Sequence, residues 1–292
     1  MTTIAILTPD PSDEAFHTRW REVLDRLTGH LRDTGIAAEA HSWVEPGLDS
    51  FDLVLPLLAW GYHRAGAGWA AQVERWESDG VRLLNPPSVL RWNADKAYIG
   101  RLAEAGAPVA PTLFTDRLSV AALEDAAARF GTDRLIAKPR VSAGAWQTIR
   151  WSPGAPIEDG PTGPAMIQPY LPAIEEEGEI SLIYLGDAFS HAIRKRPQAG
   201  DFRVQPEYDG IITPHVPAAD ELEAAERILS TVEEELLYAR IDLVRDGAGQ
   251  PVLMELELVE PDLYLGYDEQ AGMRFADAVR RAQLLAGDSL AP

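Results

Sequence analysis

Short apolar runs alternate with longer stretches of helical period along the first part of the chain. Ile4 to Leu7 is apolar throughout and stops at Thr8-Pro9-Asp10, which reads as a buried strand ended by a turn. Apolar positions at helical spacing follow from about Glu14 to Thr34. A strand near Ala37 to Trp43, an apolar run from Phe51 to Trp60 and a helical stretch from about Gly68 to Ser78 continue the alternation. This pattern predicts a small α/β domain with a mainly parallel sheet over residues 1–90.

The texture changes at Asn85-Pro86-Pro87, where a turn through Leu90-Arg91-Trp92-Asn93-Ala94-Asp95-Lys96 leads into a helix ending near Gly106. Arg134 to Pro139 and Ala165 to Tyr170 read as strands, with Val141 to Thr148 as a turn of small residues, so residues 91–172 are expected to form a hairpin-containing lobe. Beyond it, the runs Ile180 to Leu185, Ser190 to Ile193, Ile241 to Val244 and Val252 to Leu258 are separated by turns and by one long helix, Ala218 to Leu237. An antiparallel sheet flanked by that helix is expected over residues 173–292. The whole is an α/β chain with α+β lobes.

Composition narrows the function classes. A chain of 292 residues with 46% apolar and 25% charged residues can bury more than one core. Its 26 basic and 46 acidic side chains give a net charge of −20, which repels nucleic acid and anionic lipid. There is no cysteine, so disulfides, thiolate metal sites and a cysteine nucleophile are excluded. Without a signal-like N-terminus or an apolar run of about 18 residues, the expected setting is the cytoplasm, with no membrane partner.

The most informative segment is Arg240-Ile241-Asp242, followed after a turn at Asp246 to Gly249 by Met254-Glu255-Leu256-Glu257. If the two runs pair as a hairpin, their period-two alternation puts Glu255 and Glu257 on one face and lets Asp242 join them. Such a carboxylate cluster suits a hard cation such as Mg²⁺. The competing reading is an ordinary wet face of an amphipathic strand, which alternation also produces.

Arg-x-Asp followed thirteen residues after the Asp by Glu-x-Glu resembles the Arg-x-Asp and Glu-x-Asn metal motifs of the ATP-grasp ligases, which include D-alanine:D-alanine ligase and the glutathione synthetases. The resemblance runs from about Asn85 to Leu265 and implies an ATP-grasp fold behind an N-terminal parallel-sheet domain. It also implies that Asp242, Glu255 and Glu257 hold Mg²⁺, with Mn²⁺ as an alternative. By the same resemblance Lys96 and Lys138 reach the ATP phosphates, and Ser142 and Gly144 belong to the mobile small-residue loop over them. Gln168, Tyr170 and Leu171 resemble the adenine-holding segment, Glu179 the ribose acceptor, and Arg203 a phosphate-facing arginine within a Phe-Arg-x-Asn motif, where Gln205 replaces the Asn. Arg194, Lys195 and Arg196 form the densest basic cluster.

The reaction the resemblance implies activates a small-molecule, amino-acid-like carboxylate as an acyl phosphate, which an amine or similar nucleophile then attacks, with Arg240 on the oxyanion and ADP and phosphate released. Asp10, Trp60, Tyr62, His63, Glu260 and Asp262 are the expected acceptor-pocket residues. The ending Glu257-Leu258-Val259-Glu260-Pro261-Asp262 departs from the Asn-x-x-Pro-Gly of peptide-forming members and resembles a subgroup that includes the cyclising ligase of D-cycloserine biosynthesis. A homodimer is common among such relatives. Two rivals are a non-catalytic nucleotide sensor and a dinucleotide-dependent oxidoreductase; against the second, Leu7-Thr8-Pro9-Asp10 offers no Gly-x-Gly-x-x-Gly turn.

Overall fold

The computed structural model describes residues 3–13, 19–198, 204 and 210–288. Strand β1 (Thr3–Thr8) pairs in parallel with β2 (Ala37–Ser42) on one side and β3 (Leu53–Leu55) on the other. Its unbroken apolar run follows from being covered on both faces. Ile4 and Ile6 pack with Leu27 and Leu31 of α1 (Arg19–Asp33), whereas Ala5 and Leu7 join Trp69, Val73 and Trp76. Those aromatics come from α3 (Ala67–Ser78), which follows the single turn α2 (Tyr62–Ala65).

The turn expected after Asn85 contains a helix, α4 (Pro87–Asn93), because Pro87 fits a first helical position where no N–H partner is needed. Helix α5 (Tyr98–Glu104) ends where the sequence pattern placed it. A four-stranded antiparallel sheet comes next, formed by β4 (Leu113–Thr115), β5 (Leu135–Pro139), β6 (Ile149–Trp151) and β7 (Ala165–Pro169) in the order β4-β7-β5-β6. Leu123 and Ala126 of α6 (Val120–Phe130) fill its core with Leu135, Ala137 and Ile167. Ser119 caps that helix by accepting from the Ala122 N–H at 3.1 Å, and Gly131 closes it at φ 66°.

After the short α7 (Ala173–Glu176), the strands β8 (Glu179–Leu185), β9 (Ala188–Arg196), β10 (Ile211–His215), β11 (Tyr238–Arg245) and β12 (Pro251–Glu257) make the large antiparallel sheet, ordered β10-β9-β8-β11-β12. The expected helix from Ala218 to Leu237 is shorter: α8 spans Ala219–Leu229. Ser230 and Thr231 turn their hydroxyls back onto the carbonyls of Arg227 and Ile228 at 2.8 and 2.6 Å, and this self-bonding marks the last turn. Helix α9 (Ala271–Asp288) inserts Phe275, Ala276 and Val279 into the core shared by α1 and by Ile183 and Ile193 of the large sheet. The N-terminal sheet is thereby fastened to the large one by a continuous apolar core.

Strand β12 is at the edge of its sheet, yet its outer backbone is satisfied. Leu253 N–H donates to the Pro108 carbonyl at 2.8 Å and Leu256 N–H to the Tyr98 hydroxyl at 2.8 Å. Buried Asn93 donates to the Leu256 carbonyl at 2.8 Å and accepts from Leu258 N–H at 2.9 Å. Asn85, fully buried, spans both strands of the hairpin: it donates to the Tyr238 and Leu258 carbonyls at 3.0 and 2.8 Å and accepts from Leu237 N–H at 2.8 Å. Pairing these groups removes the cost of leaving them buried and unbonded, and it fixes where β12 points its acidic side chains.

Candidate active site

A cleft of about 400 Å³ is lined by side chains from the two antiparallel sheets and from helices and loops, including α1 and the Trp60 to His63 segment of the N-terminal domain. One wall is the β11–β12 hairpin, whose register sets Arg240 opposite Glu257 and Asp242 opposite Glu255. The pairing and the shared face are those the alternation predicts. On the neighbouring strands, Ser181 lies opposite Asp242, and Glu179 opposite Lys195, so the same face continues across β8 and β9.

The close approach of β8 and β9 needs a glycine. Gly178, at φ 94°, leads into Glu179, and a Cβ there would lie 2.5 Å from the Lys195 carbonyl oxygen. Lys195 in turn is buried and ion-paired to Glu179, and reaches Asp242 at 3.2 Å. Burial opposes its charge, but Asp242 and Glu179 outweigh that and raise its pKa. Asp242 also accepts from the Ser181 hydroxyl and from Arg240, whose Nη2 lies 3.0 Å away. Burial alone would raise the Asp242 carboxyl; Arg240 and Lys195 together overcome it and hold the group at about 2.

The opposing side is built by two interlocked turns. Arg140 clamps Asp95, with Nε 2.9 Å from Oδ1, while the Lys96 backbone N–H donates to the Arg140 carbonyl at 2.8 Å. The buried Lys96 ammonium is thus aimed at the loop after β5, where it donates to the Ser142 carbonyl and hydroxyl, and at Glu255, 3.2 Å away across the cleft. Lys138 lines the cleft as well, its pKa lowered by burial and by the nearby Lys96 against the pull of Glu255. Gly144 lines it from a left-handed backbone, φ 59°.

Asp242, Glu255 and Glu257 share one wall of the cleft, and among the described residues no group of three acidic or histidine side chains is drawn together closely enough to hold a metal as it stands. The physical reason is that each acid has been met separately by a cation of the protein, Asp242 by Arg240 and Lys195, Glu255 by Lys96, and Glu257 by Arg240. The compensation is incomplete. Burial lifts the Glu257 carboxyl to about 8, because the single Arg240 is shared with Asp242 and Glu255 adds repulsion. The carboxyl oxygens of Asp242, Glu255 and Glu257 on one cleft wall are the donor type that a hard divalent cation prefers.

Other expected residues divide. Tyr170, Leu171 and Glu179 line the cleft. Tyr170 is also held in place, its hydroxyl donating to Glu175 and its ring faced by the Arg134 and Arg150 guanidinium carbons at 4.2 and 4.6 Å. Gln168 does not line the cleft: the register pairs it with Ile136 on the face that also carries Lys138, but its side chain is buried and donates to the Thr112 hydroxyl at 2.9 Å. Arg203 and Gln205 lie outside the described residues.

At the far end, Trp60, Tyr62, His63, Glu260 and Asp262 line the cleft as expected. Asp10 does not; its carboxylate closes its own turn by accepting from Ser12 N–H at 2.8 Å. Asp262 pairs with Arg19 at 3.2 Å, and the Trp60 indole donates to the Glu260 carbonyl at 3.3 Å. Burial, with Lys96 and Arg64 adding to it, depresses His63 to about 4, which keeps the imidazole neutral.

Comparison with known proteins agrees with this geometry. Residues 4–85 match the family model of the N-terminal domain of D-cycloserine synthetase DcsG. The cycloserine biosynthesis protein DcsG of Streptomyces lavendulae is 30% identical over 279 residues, covering 85% of this chain and 89% of that one. The chain belongs to the DcsG family of ATP-grasp ligases. As such it is an ADP-forming carboxylate–amine ligase. The crystal structure of D-cycloserine synthetase DcsG superposes with a TM-score of 0.84 at 26% identity, over 96% of this chain and 99% of that one. D-alanine–D-alanine ligase from Bacillus anthracis shares the fold, with a TM-score of 0.71 at 15% identity over 99% of this chain and 100% of that one.

Three contributors escaped the sequence reading. Lys195 stood in a basic cluster but its burial between Glu179 and Asp242 depends on the β8–β9 register. Asn85 and Asn93 stood beside the domain turn, and nothing local marks a buried amide that braces a strand far along the chain.

Proposed function

We propose that this ligase closes an amino-acid-like substrate onto itself, joining its carboxylate to a nucleophilic nitrogen of the same molecule at the expense of ATP. The observation that carries the reading is the meeting, in one cleft, of Lys96 and Glu255 at 3.2 Å, with Lys138 and Asp242 beside them. The similarity to DcsG, whose described product is D-cycloserine, supports cyclisation over joining of two molecules.

In this reading Lys96 and Lys138 bind the ATP phosphates, and Tyr170 and Leu171 border the adenine. Glu179, held by Lys195, stands where a ribose hydroxyl can donate to it. Asp242, Glu255 and Glu257 would hold Mg²⁺, which when bound neutralises charge on the transferring phosphoryl group. A related-fold ligase, PsnB, is known in a complex with Mg and ADP. The substrate carboxylate attacks the γ-phosphorus, giving an acyl phosphate and ADP. The nucleophile adds to the acyl carbon, Arg240 stabilises the resulting oxyanion, and phosphate leaves as the carbonyl re-forms.

A screen of amino acids and their aminooxy and amide analogues with ATP and Mg²⁺ tests this, read by ADP release and by product mass. The expected product has the mass of its substrate less the atoms of water, with one ADP and one phosphate per turnover. Release of AMP and pyrophosphate, or a product containing two substrate molecules, overturns it.

A further inference from the structure

Every acidic side chain of the β12 wall has a cation except one. Glu255 faces Lys96, Glu257 faces Arg240, and beyond the strand Asp262 faces Arg19. Glu260 lines the same cleft, and its carboxylate has no hydrogen-bond or ion-pair partner among the described residues. Its backbone is not free to swing away, because its carbonyl accepts from the Trp60 indole at 3.3 Å and the adjoining Leu258 is bound by both Asn85 and Asn93. A carboxylate fixed at a cleft wall, partly stripped of water and left uncompensated, is a costly arrangement that a bound cation would relieve.

The surroundings define which cation. Trp60 and Tyr62 form aromatic walls at this end of the cleft, and aromatic faces favour organic ammonium groups. His63 adds a buried Nδ1 with no partner among the described residues, a second polar atom in the cleft open to a ligand. Towards β11 lies Arg240, the group assigned above to the acyl oxygen; an α-amino acid carries an ammonium one carbon from its carboxyl carbon.

From this geometry we propose that Glu260 is the specificity-determining residue that reads the substrate's protonated α-amino group, with Trp60 and Tyr62 as its aromatic walls. The inference rests on the ligase reading above and narrows its substrate to amino acids whose α-nitrogen is free and charged. It also assigns the α-nitrogen to recognition, so the nitrogen that attacks the acyl phosphate is a different one, further along the side chain.

Calorimetry with ADP and Mg²⁺ present tests the proposal, using D-cycloserine, which carries a free amine, and its N-acetyl derivative as probes. The wild-type protein is expected to bind D-cycloserine at least ten-fold more tightly than the acetylated form. Glu260→Gln should weaken D-cycloserine at least ten-fold and leave the acetylated probe unchanged, Glu260→Asp should recover part of the loss, and ADP affinity should stay within two-fold throughout. Equal binding of the two probes by the wild type, or wild-type affinity in Glu260→Gln, overturns the assignment. Failure of the wild type to bind either probe also overturns it, while ADP formation in the substrate screen decides the ligase reading separately. The wild-type comparison of probes needs no variant, so the test survives a substitution that fails to fold.

Discussion

Asp242 and Glu260 stand on the same wall of the same cleft, and burial pushes both carboxyls upward; they end in opposite states. Asp242 is bracketed by Arg240 and Lys195 and is held at about 2. Glu260 is pushed well above the usual carboxylate range by burial and by the neighbouring Glu257, with Arg240 only partly offsetting this. The lesson is that the two ends of the cleft differ in charge balance: the end near β8 and β11 is compensated from within the protein, and the end beyond β12 is built to be completed by something bound.

Removing a cation from the balanced end should cost most. Arg240→Met keeps much of the side chain's bulk but leaves Glu257 without its ion pair and Asp242 with Lys195 alone, and a loss of about 3–5 kcal/mol in urea-unfolding stability is expected. A loss below about 1 kcal/mol would show that the bracket around Asp242 matters little. Glu255→Gln is expected to lower turnover about 10²–10³-fold, as loss of a group stabilising transferring charge does, and to lower the melting temperature less than Arg240→Met, because Lys96 keeps its bonds to Ser142. Turnover measured as ADP release at wild-type rate would remove Glu255 from the chemistry.

His63 gives a pH-dependent contrast. Its folded pKa of about 4 lies below the ordinary 6.5, so as pH falls the unfolded chain takes up the proton first. Stability is therefore intact above pH 6.5 and erodes between 6.5 and 4, by at most about 3 kcal/mol. His63→Gln should flatten that part of the wild-type stability profile; a parallel profile would place the imidazole in water. The smallest expected change is at the uncompensated end. Glu260→Gln removes a half-buried carboxyl whose raised pKa costs stability above the unfolded value of about 4.3, and should raise the stability of the ligand-free protein, by up to about 1 kcal/mol in the same unfolding experiment. Destabilisation instead would mean that Glu260 already has a partner.

The hairpin was readable in the chain because strand alternation is local: once Asp242 and Glu255 pair, period two fixes the face of Arg240 and Glu257. The same rule misplaced nothing there, but it is not enough for Gln168: the register sets Gln168 opposite Ile136 on the face that carries Lys138, and a hydrogen bond to Thr112, a partner only the fold supplies, holds the amide out of the cleft. The truncated α8 shows a different limit. Its helical period continues past Leu229, and the competition from Ser230 and Thr231 together with the demands of β11 ends it.

The chain by itself determined the parallel start, the antiparallel hairpin and the inventory of lysines and carboxylates, since these follow from periodicity and residue type within short windows. Only the tertiary structure decided how those charges are matched. Lys96 meets Glu255 from 159 positions away and Lys195 meets Asp242 from 47 away, as their ion pairs at 3.2 Å record. Coulombic energy and desolvation depend on distance and burial in space, not on separation in sequence, so which acid is left without a cation is a property of the fold.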